Sequence, residues 1–183
     1  MPGPQLGAAA PFLTNREEVP SYWMGDSLWS ILATAETTGG DLAVLDQIMP
    51  RRSGPPPHIH DRLHEFFYIL DGEILFQIGS QVHTASTGSM LSIPAGTVHS
   101  FAVASETTRV LNLYTPGGFV EQISHLGTPA TELRLPRREE QTSPDSARLH
   151  AYLTRSAEIN TQRPLNPGEG EDLLADERDP FHV

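Results

Sequence analysis

Two residue types are missing from this chain, and each absence excludes a class of chemistry. None of the 183 residues is a cysteine, so disulfides, thiolate metal sites and cysteine nucleophiles are excluded. None is a lysine either, because all 12 positive charges are arginines. Schiff-base catalysis and a lysine-containing phosphate loop are therefore excluded as well.

Positive charge is scarce, with 12 basic against 23 acidic side chains and a net charge of −11. We therefore expect no nucleic-acid partner, because phosphates need a basic surface. Long apolar runs are also missing, which argues against a membrane span. The first residues, MPGPQLGAAAPFL, lack the positive region and the apolar length of a signal peptide. These features predict a cytoplasmic protein.

Short strand-like runs begin at Trp29 and are separated by turn signals such as Asp71-Gly72 and Gly79-Ser80. The Asp71-Gly72 pair, placed between two apolar runs, is the strongest local prediction of a β-hairpin. So many evenly spaced short strands predict an all-β sandwich or barrel. We divide the chain into an extended arm (1–20), a barrel (21–116), a helical extension (117–159) and an acidic tail (160–183).

The helical extension is predicted from a change of periodicity after residue 116. Phe119, Ile123 and Leu126 fall on one helical face, and Gly127 is placed to end that helix. A second short helix is expected from Ser143 onwards. Between residues 169 and 179 six side chains are acidic, so the tail has too little apolar surface to fold alone and is expected to be mobile.

Histidines and a carboxylate follow the sequence Gly-Pro-Pro-Pro at residues 54–57. On a strand, side chains two residues apart face the same way, so His58 and His60 project together. Glu65 would face the opposite side of an unbroken strand, but the polar Asp61-Arg62 step suggests a bend that resets the direction. Two imidazoles and one carboxylate then converge, a common ligand set for first-row divalent metals.

A fourth ligand is predicted from the stretch between Gly88 and His99. Its Pro94-Ala-Gly96 turn leads into a new strand whose first inward side chain is that of His99. His64 is adjacent to Glu65 and is expected to point away from the metal, on the surface or in barrel packing. The predicted metal ligands are His58, His60, Glu65 and His99.

The same two stretches resemble the two motifs of the cupin superfamily. The first motif is matched by His58, His60, Glu65 and Gly72, and the second by Gly88, Pro94, Gly96 and His99. Two positions depart from the family pattern. Three residues, instead of the usual five, separate Gly54 from the first histidine, and Val103 replaces a common asparagine. The resemblance covers about residues 25–115. It implies a cupin β-barrel, a double-stranded β-helix of the jelly-roll type, followed by short C-terminal helices.

Three segments, SYWMGDSLWSILATAETTGGDLAV, GPPPHIH and HEFFYILDGEI, are similar to small single-barrel cupins of the quercetinase type. That resemblance implies a flavonol dioxygenase with one divalent transition metal ion (Ni, Mn, Fe or Co), an aromatic small-molecule substrate and O2 as co-substrate. The mixed imidazole and carboxylate ligand set would suit Zn as well. Glu65 is the only carboxylate expected in the site, so it is the candidate for both ligand and catalytic base. The alternatives are a cupin isomerase, cyclase or lyase that uses the metal as a Lewis acid without O2, and a non-catalytic binding cupin.

Aromatic residues outside the motifs allow two interpretations. Tyr22, Trp23, Met24 and Trp29 either line a pocket for a planar aromatic ligand or form an apolar plug or dimer contact. We expect a homodimer, because a small monomer would leave sheet edges and the apolar residues near Trp23 and Trp29 exposed to solvent. Phe67, Phe76 and Phe101 are the further candidates for the pocket wall.

Overall fold

The computed structural model describes residues 9–141, 163–166 and 169, which form two antiparallel β-sheets and one short helix. The first sheet has seven strands in the order β11-β1-β2-β3-β10-β5-β8, and the second has five in the order β12-β4-β9-β6-β7. The strands of the first sheet are β1 (Ser21–Met24), β2 (Ser27–Ala33), β3 (Ala43–Pro50), β5 (His64–Asp71), β8 (Met90–Ile93), β10 (Thr107–Thr115) and β11 (Thr128–Pro129). Those of the second are β4 (His58–Ile59), β6 (Glu73–Ile78), β7 (Gln81–Ser86), β9 (His99–Val103) and β12 (Arg163–Pro164).

The burial pattern of the strands shows which face of a sheet is covered. In β10 the buried side chains are every second one, at Thr108, Val110, Asn112 and Tyr114. This period of two is what a sheet with one covered face requires. The predicted all-β jelly roll is confirmed.

Apolar side chains from both sheets fill the space between them. Phe67 of β5 contacts Phe76 of β6 and Phe101 of β9, with ring centroids 4.9 and 5.3 Å apart. Met49 and Ile74 belong to the same buried cluster. Burial of each such side chain stabilises the fold by about 1.5–3 kcal/mol. A second cluster, which includes Trp29, Leu45, Tyr114 and Phe119, lies against the helix.

The hairpin prediction at Asp71-Gly72 is wrong, although a turn does occur there. β5 lies in the first sheet and β6 in the second, so the chain crosses between sheets instead of pairing back on itself. Both edges of β5 are occupied, one by β10 and the other by β8. Gly79-Ser80, in contrast, joins the paired strands β6 and β7.

The helix α1 (Val120–Leu126) confirms the first of the two predicted helices. Phe119 precedes it, Ile123 and Leu126 are buried, and the Gly127 N–H donates to the Ile123 carbonyl at its end. The second predicted helix, from Ser143, lies outside the described residues. In the part of the chain that the structure covers, no helix is long and apolar enough to cross a membrane.

Both terminal segments are attached to the sheets where they are described. Arg16 of the N-terminal arm lies 3.2 Å from the buried Asp46 carboxylate of β3, which also accepts three bonds from the Arg109 guanidinium. Within the segment predicted as an acidic tail, Arg163–Pro164 pairs with β4, and Arg163 bonds Asp61. The division of the chain into four segments stays a prediction.

Candidate metal centre

Strand pairing places two of the predicted ligands directly opposite each other. His58 in β4 is the Cα partner of His99 in β9, and the two ring centroids are 4.1 Å apart. The prolines at 55–57 have no backbone N–H to donate, so they cannot extend the ladder, and β4 begins only at His58. The two imidazoles therefore meet at the start of the pairing.

The other two predicted ligands approach from the crossing between the sheets. After β4 the chain bends over residues 61–63 and enters β5, so the Glu65 carboxylate turns inward. Its Oε2 atom lies 3.3 Å from His60 Nε2 and 3.0 Å from His99 Nε2. All four side chains are buried. The bend between His60 and Glu65, inferred from sequence, is present, and the neighbouring His64 is exposed.

Backbone carbonyls fix the orientation of two of the rings. His58 Nδ1 lies 3.1 Å from the Pro56 carbonyl oxygen, and His99 Nδ1 lies 2.9 Å from that of Thr97. A carbonyl only accepts hydrogen bonds, so each Nδ1 carries a proton. In each ring Nε2 is then the nitrogen that is left to face the cluster and to bind a metal ion. Such an outer bond is the usual means by which a metal-binding histidine is oriented.

Two residues of β10 hold the Glu65 carboxylate from behind. Asn112 Nδ2 donates to Oε1 at 3.0 Å, and the Tyr114 hydroxyl donates to the same atom at 2.7 Å. The Tyr114 ring stacks on Phe119 at a centroid distance of 4.0 Å. Sequence reasoning missed both partners of Glu65. The available signal was the polar Asn112 at an inward position between Val110 and Tyr114 of an alternating strand.

The electrostatics of the cluster favour the charge states in which these groups bind metals. Burial first, and then the neighbouring His99, lower the pKa of His58 from its ordinary 6.5 to about 3. Burial alone would raise the pKa of Glu65, but hydrogen bonds from His60 and His99 outweigh it and hold this pKa well below 4.5. A neutral imidazole and an ionised carboxylate result, as metal binding requires.

The geometry of the four side chains fits a single ion. Their ligand atoms all lie within 4.8 Å of one another. An ion bound at about 2.0–2.2 Å would separate two opposite ligand atoms by roughly 4.0–4.4 Å, so only small shifts are needed. A buried cluster of three histidines and one glutamate suits a divalent metal ion.

A cavity of about 490 Å³ opens beside the cluster and is lined by His58, His60 and Glu65. This size is in the range of small-molecule sites. Its apolar walls include Met24, Trp29, Met49, Phe101, Phe119 and Leu126. Of the aromatic candidates from the sequence, Trp29 and Phe101 therefore line the cavity, whereas Phe67 and Phe76 pack between the sheets. Trp23 is buried elsewhere, with Arg134 over its ring.

Comparison with known proteins finds a family match for the central part of the chain. Residues 44–114 match the family described as Cupin domain. This stretch of the chain is similar to cupin domains. The matched residues run from β3 to β10 and include all four side chains of the cluster.

Among curated proteins, this chain is similar to two quercetin 2,3-dioxygenases. It is 30% identical to the Bacillus subtilis (strain 168) protein over 121 residues, which cover 66% of this chain and 36% of that protein. It is 29% identical to the Aspergillus japonicus protein over 112 residues, covering 57% of this chain and 32% of that protein. The chain thus spans about a third of the length of these relatives.

The fold is also similar to that of KdgF from Halomonas sp., with a TM-score of 0.54. The match covers 62% of this chain and 99% of that chain at 19% identity. At this identity the likeness concerns the fold alone.

Proposed function

We propose that this cupin is a metal-dependent dioxygenase that acts on an oxygenated aromatic or flavonol-like enol. The observation that carries the proposal is the His58, His60, Glu65 and His99 cluster beside a cavity with aromatic and thioether walls. The similarity to quercetin 2,3-dioxygenases over 121 residues supports the same chemistry. The substrate is a small aromatic molecule, and O2 is the co-substrate.

The four clustered side chains are the proposed ligands of one divalent transition metal ion. Mixed imidazole and carboxylate ligation suits Ni, Mn, Fe, Co and Zn alike. A bound ion would supply Lewis acidity to an oxygen of the ligand in the cavity. His58 and His99 present Nε2 to it because their Nδ1 atoms are engaged by Pro56 and Thr97.

Glu65 has two proposed roles, as ligand and as catalytic base. Its Oε2 atom faces the histidines, while Oε1 is held by Asn112 and Tyr114. A ligand hydroxyl brought to the cluster from the cavity would give up its proton to this carboxylate. The bonds from β10 prevent the carboxylate from rotating away, so its geometry is preorganised for that transfer.

Oxygen uptake tests the proposed reaction. Metal-loaded protein with quercetin under air should consume one O2 per quercetin and release carbon monoxide, measured with an oxygen electrode and by gas analysis. Turnover of quercetin without oxygen uptake would contradict the dioxygenase activity and would favour that of an isomerase, cyclase or lyase. Binding of quercetin without any turnover would indicate a non-catalytic cupin.

Replacement Glu65→Gln tests the role of the carboxylate in the same assay. We expect turnover per bound ion to fall roughly 100- to 10,000-fold, as is typical of a lost general base. Asn112 and Tyr114 both donate to Oε1, so the amide oxygen should occupy that position and the NH2 group should face the histidines. Metal affinity should fall too, and rates must be normalised to bound ion.

Glu73→Gln is the matched control, because Glu73 lies on β6 outside the cavity and should keep a rate within about twofold of wild type. A Glu65→Gln protein with the wild-type rate per ion would remove Glu65 as the base.

We also propose that the protein is a homodimer and that it is located in the cytoplasm. Cell fractionation with an antibody against the protein tests the location.

A further inference from the structure

Polar side chains follow a line across four neighbouring strands of the first sheet and end at the metal cluster. Trp29 of β2 is the Cα partner of Gln47 of β3, which in turn pairs with Val110 of β10. Asn112 lies two residues further along β10 and therefore on the same face. Its amide reaches Glu65 on β5. Trp29, Gln47 and Asn112, here called the polar line, all border the cavity.

Each member of the polar line has a buried atom with no hydrogen-bond partner among the described residues. These atoms are Trp29 Nε1, Gln47 Oε1 and Asn112 Oδ1. The three residues are only 8%, 2% and 1% exposed. A buried polar atom without a partner costs roughly 1–3 kcal/mol, and such atoms are rare in folded proteins. Three of them border one cavity, where a bound molecule would be within reach of all three residues.

The chemistry of the three atoms defines what that ligand must offer. An indole N–H can only donate, so Trp29 requires an acceptor. The orientation of Asn112 is fixed by Glu65, because a carboxylate only accepts and so takes the Nδ2 group. Asn112 Oδ1 is thus the acceptor end of a side chain that borders the cavity, and Gln47 Oε1 is a second buried acceptor there. Two acceptors attract hydroxyl groups and repel carboxylates.

We propose that the polar line determines ligand specificity by selecting a neutral aromatic molecule that carries hydroxyl groups. The ligand donates hydroxyl hydrogen bonds to Gln47 and Asn112, and one of its oxygen atoms accepts a hydrogen bond from Trp29. This inference rests on the proposed function in placing an aromatic ligand in the same cavity. The hydroxyls recognised by the polar line are additional to the oxygen that approaches the metal cluster. Recognition by hydrogen bonds of this kind discriminates strongly against analogues that lack them.

The chain contains matched controls for two of the three residues. It has two tryptophans, and Trp23 already donates its Nε1–H to the Arg134 carbonyl at 2.9 Å. Gln77, on β6, is buried like Gln47 but accepts a bond from Ser100 Oγ and does not line the cavity.

Indole N–H resonances test the inference directly. Zinc-loaded, ¹⁵N-labelled protein should show two indole peaks, which a Trp23→Phe variant assigns. Saturating quercetin should move the Trp29 peak, because its N–H gains an acceptor, and should leave the Trp23 peak in place. Zinc is diamagnetic and does not change oxidation state, so binding is observed without turnover. An unmoved Trp29 peak overturns the inference.

Replacement Gln47→Leu tests specificity by calorimetric titration with quercetin and with 3-hydroxyflavone, which keeps the hydroxyl of the heterocycle but lacks those of the two benzene rings. The preference for quercetin should fall roughly 2- to 10-fold for one lost hydrogen bond. Without ligand, the variant should melt no lower than wild type, because a buried atom without a partner has been removed. Gln77→Leu should keep the wild-type preference.

An unchanged preference in Gln47→Leu also overturns the inference. If oxygen is consumed but the Trp29 peak does not move, the proposed role of the polar line is refuted and the proposed dioxygenase reaction is not. If the Trp29 peak moves but no oxygen is consumed, the dioxygenase reaction is refuted and the role of the polar line is not.

Discussion

His58 and His64 are six residues apart, yet one imidazole is buried in the cluster and the other is exposed. We expect His58→Ala to lower metal affinity at least about tenfold, since even the outer partners of metal ligands contribute 10- to 100-fold. His64→Ala is the matched control, because the same chemical group is removed from the surface. The two variants are compared by their metal content per folded chain after dialysis, measured by inductively coupled plasma mass spectrometry.

Equal loss of metal from both variants would contradict the assignment of His58 and would mean that His64 reaches the ion. The same comparison at His60 and His99 extends the test to each proposed imidazole ligand.

The sequence predicts some of these residues and not others for a physical reason. His58 and His60 are related by the period of one strand, which can be read from spacing alone. The partners of Glu65, in contrast, lie 47 and 49 residues further along the chain, at Asn112 and Tyr114. Their proximity depends on β10 being the neighbour of β5, and no local pattern encodes which strands are neighbours.

At the scale of the elements, the same limitation explains the hairpin prediction that proved wrong. Turn residues determine that the chain turns at Gly72, where φ is +88°, but not which strand the outgoing segment joins. Pairing of β5 with β10 and β8 leaves no edge for β6. The crossing brings Gly72 against the backbone of Thr107, where an added Cβ would lie 2.5 Å from the carbonyl oxygen.

Gly72→Ala should therefore destabilise the protein more than Gly79→Ala does. Both glycines have positive φ, +88° and +56°, so each replacement costs about 1–2 kcal/mol for the left-handed backbone. Only Gly72 adds a clash, because no atom lies within 4 Å of a Cβ built at Gly79. We expect a total loss of about 3 kcal/mol or more at Gly72, measured by urea unfolding. Equal losses at the two positions would show that the crossing accommodates a side chain.

At the scale of the whole molecule, the exposed apolar side chains differ from those expected. Trp23 and Trp29 are buried, so neither can form the predicted dimer contact. The exposed large apolar residues instead include Phe12 and Leu13 in the N-terminal arm, Leu13 being 97% exposed. An adjacent pair of this kind is a candidate for burial against a second copy of the chain. We therefore propose the arm as the contact of the predicted homodimer.

Light scattering over a wide concentration range tests this assembly. The wild-type protein should give a mass near 40 kDa, twice the chain mass of 20.1 kDa. The double replacement Phe12→Ser and Leu13→Ser should lower the mass toward that of one chain, because apolar area that drives association is lost. Val82→Ser is the control, since Val82 is 48% exposed on β7 and far in sequence from the arm. A wild-type mass near 20 kDa at every concentration would exclude the dimer. A dimer that survives the double replacement but not Val82→Ser would transfer the interface from the arm to the β7 edge of the second sheet.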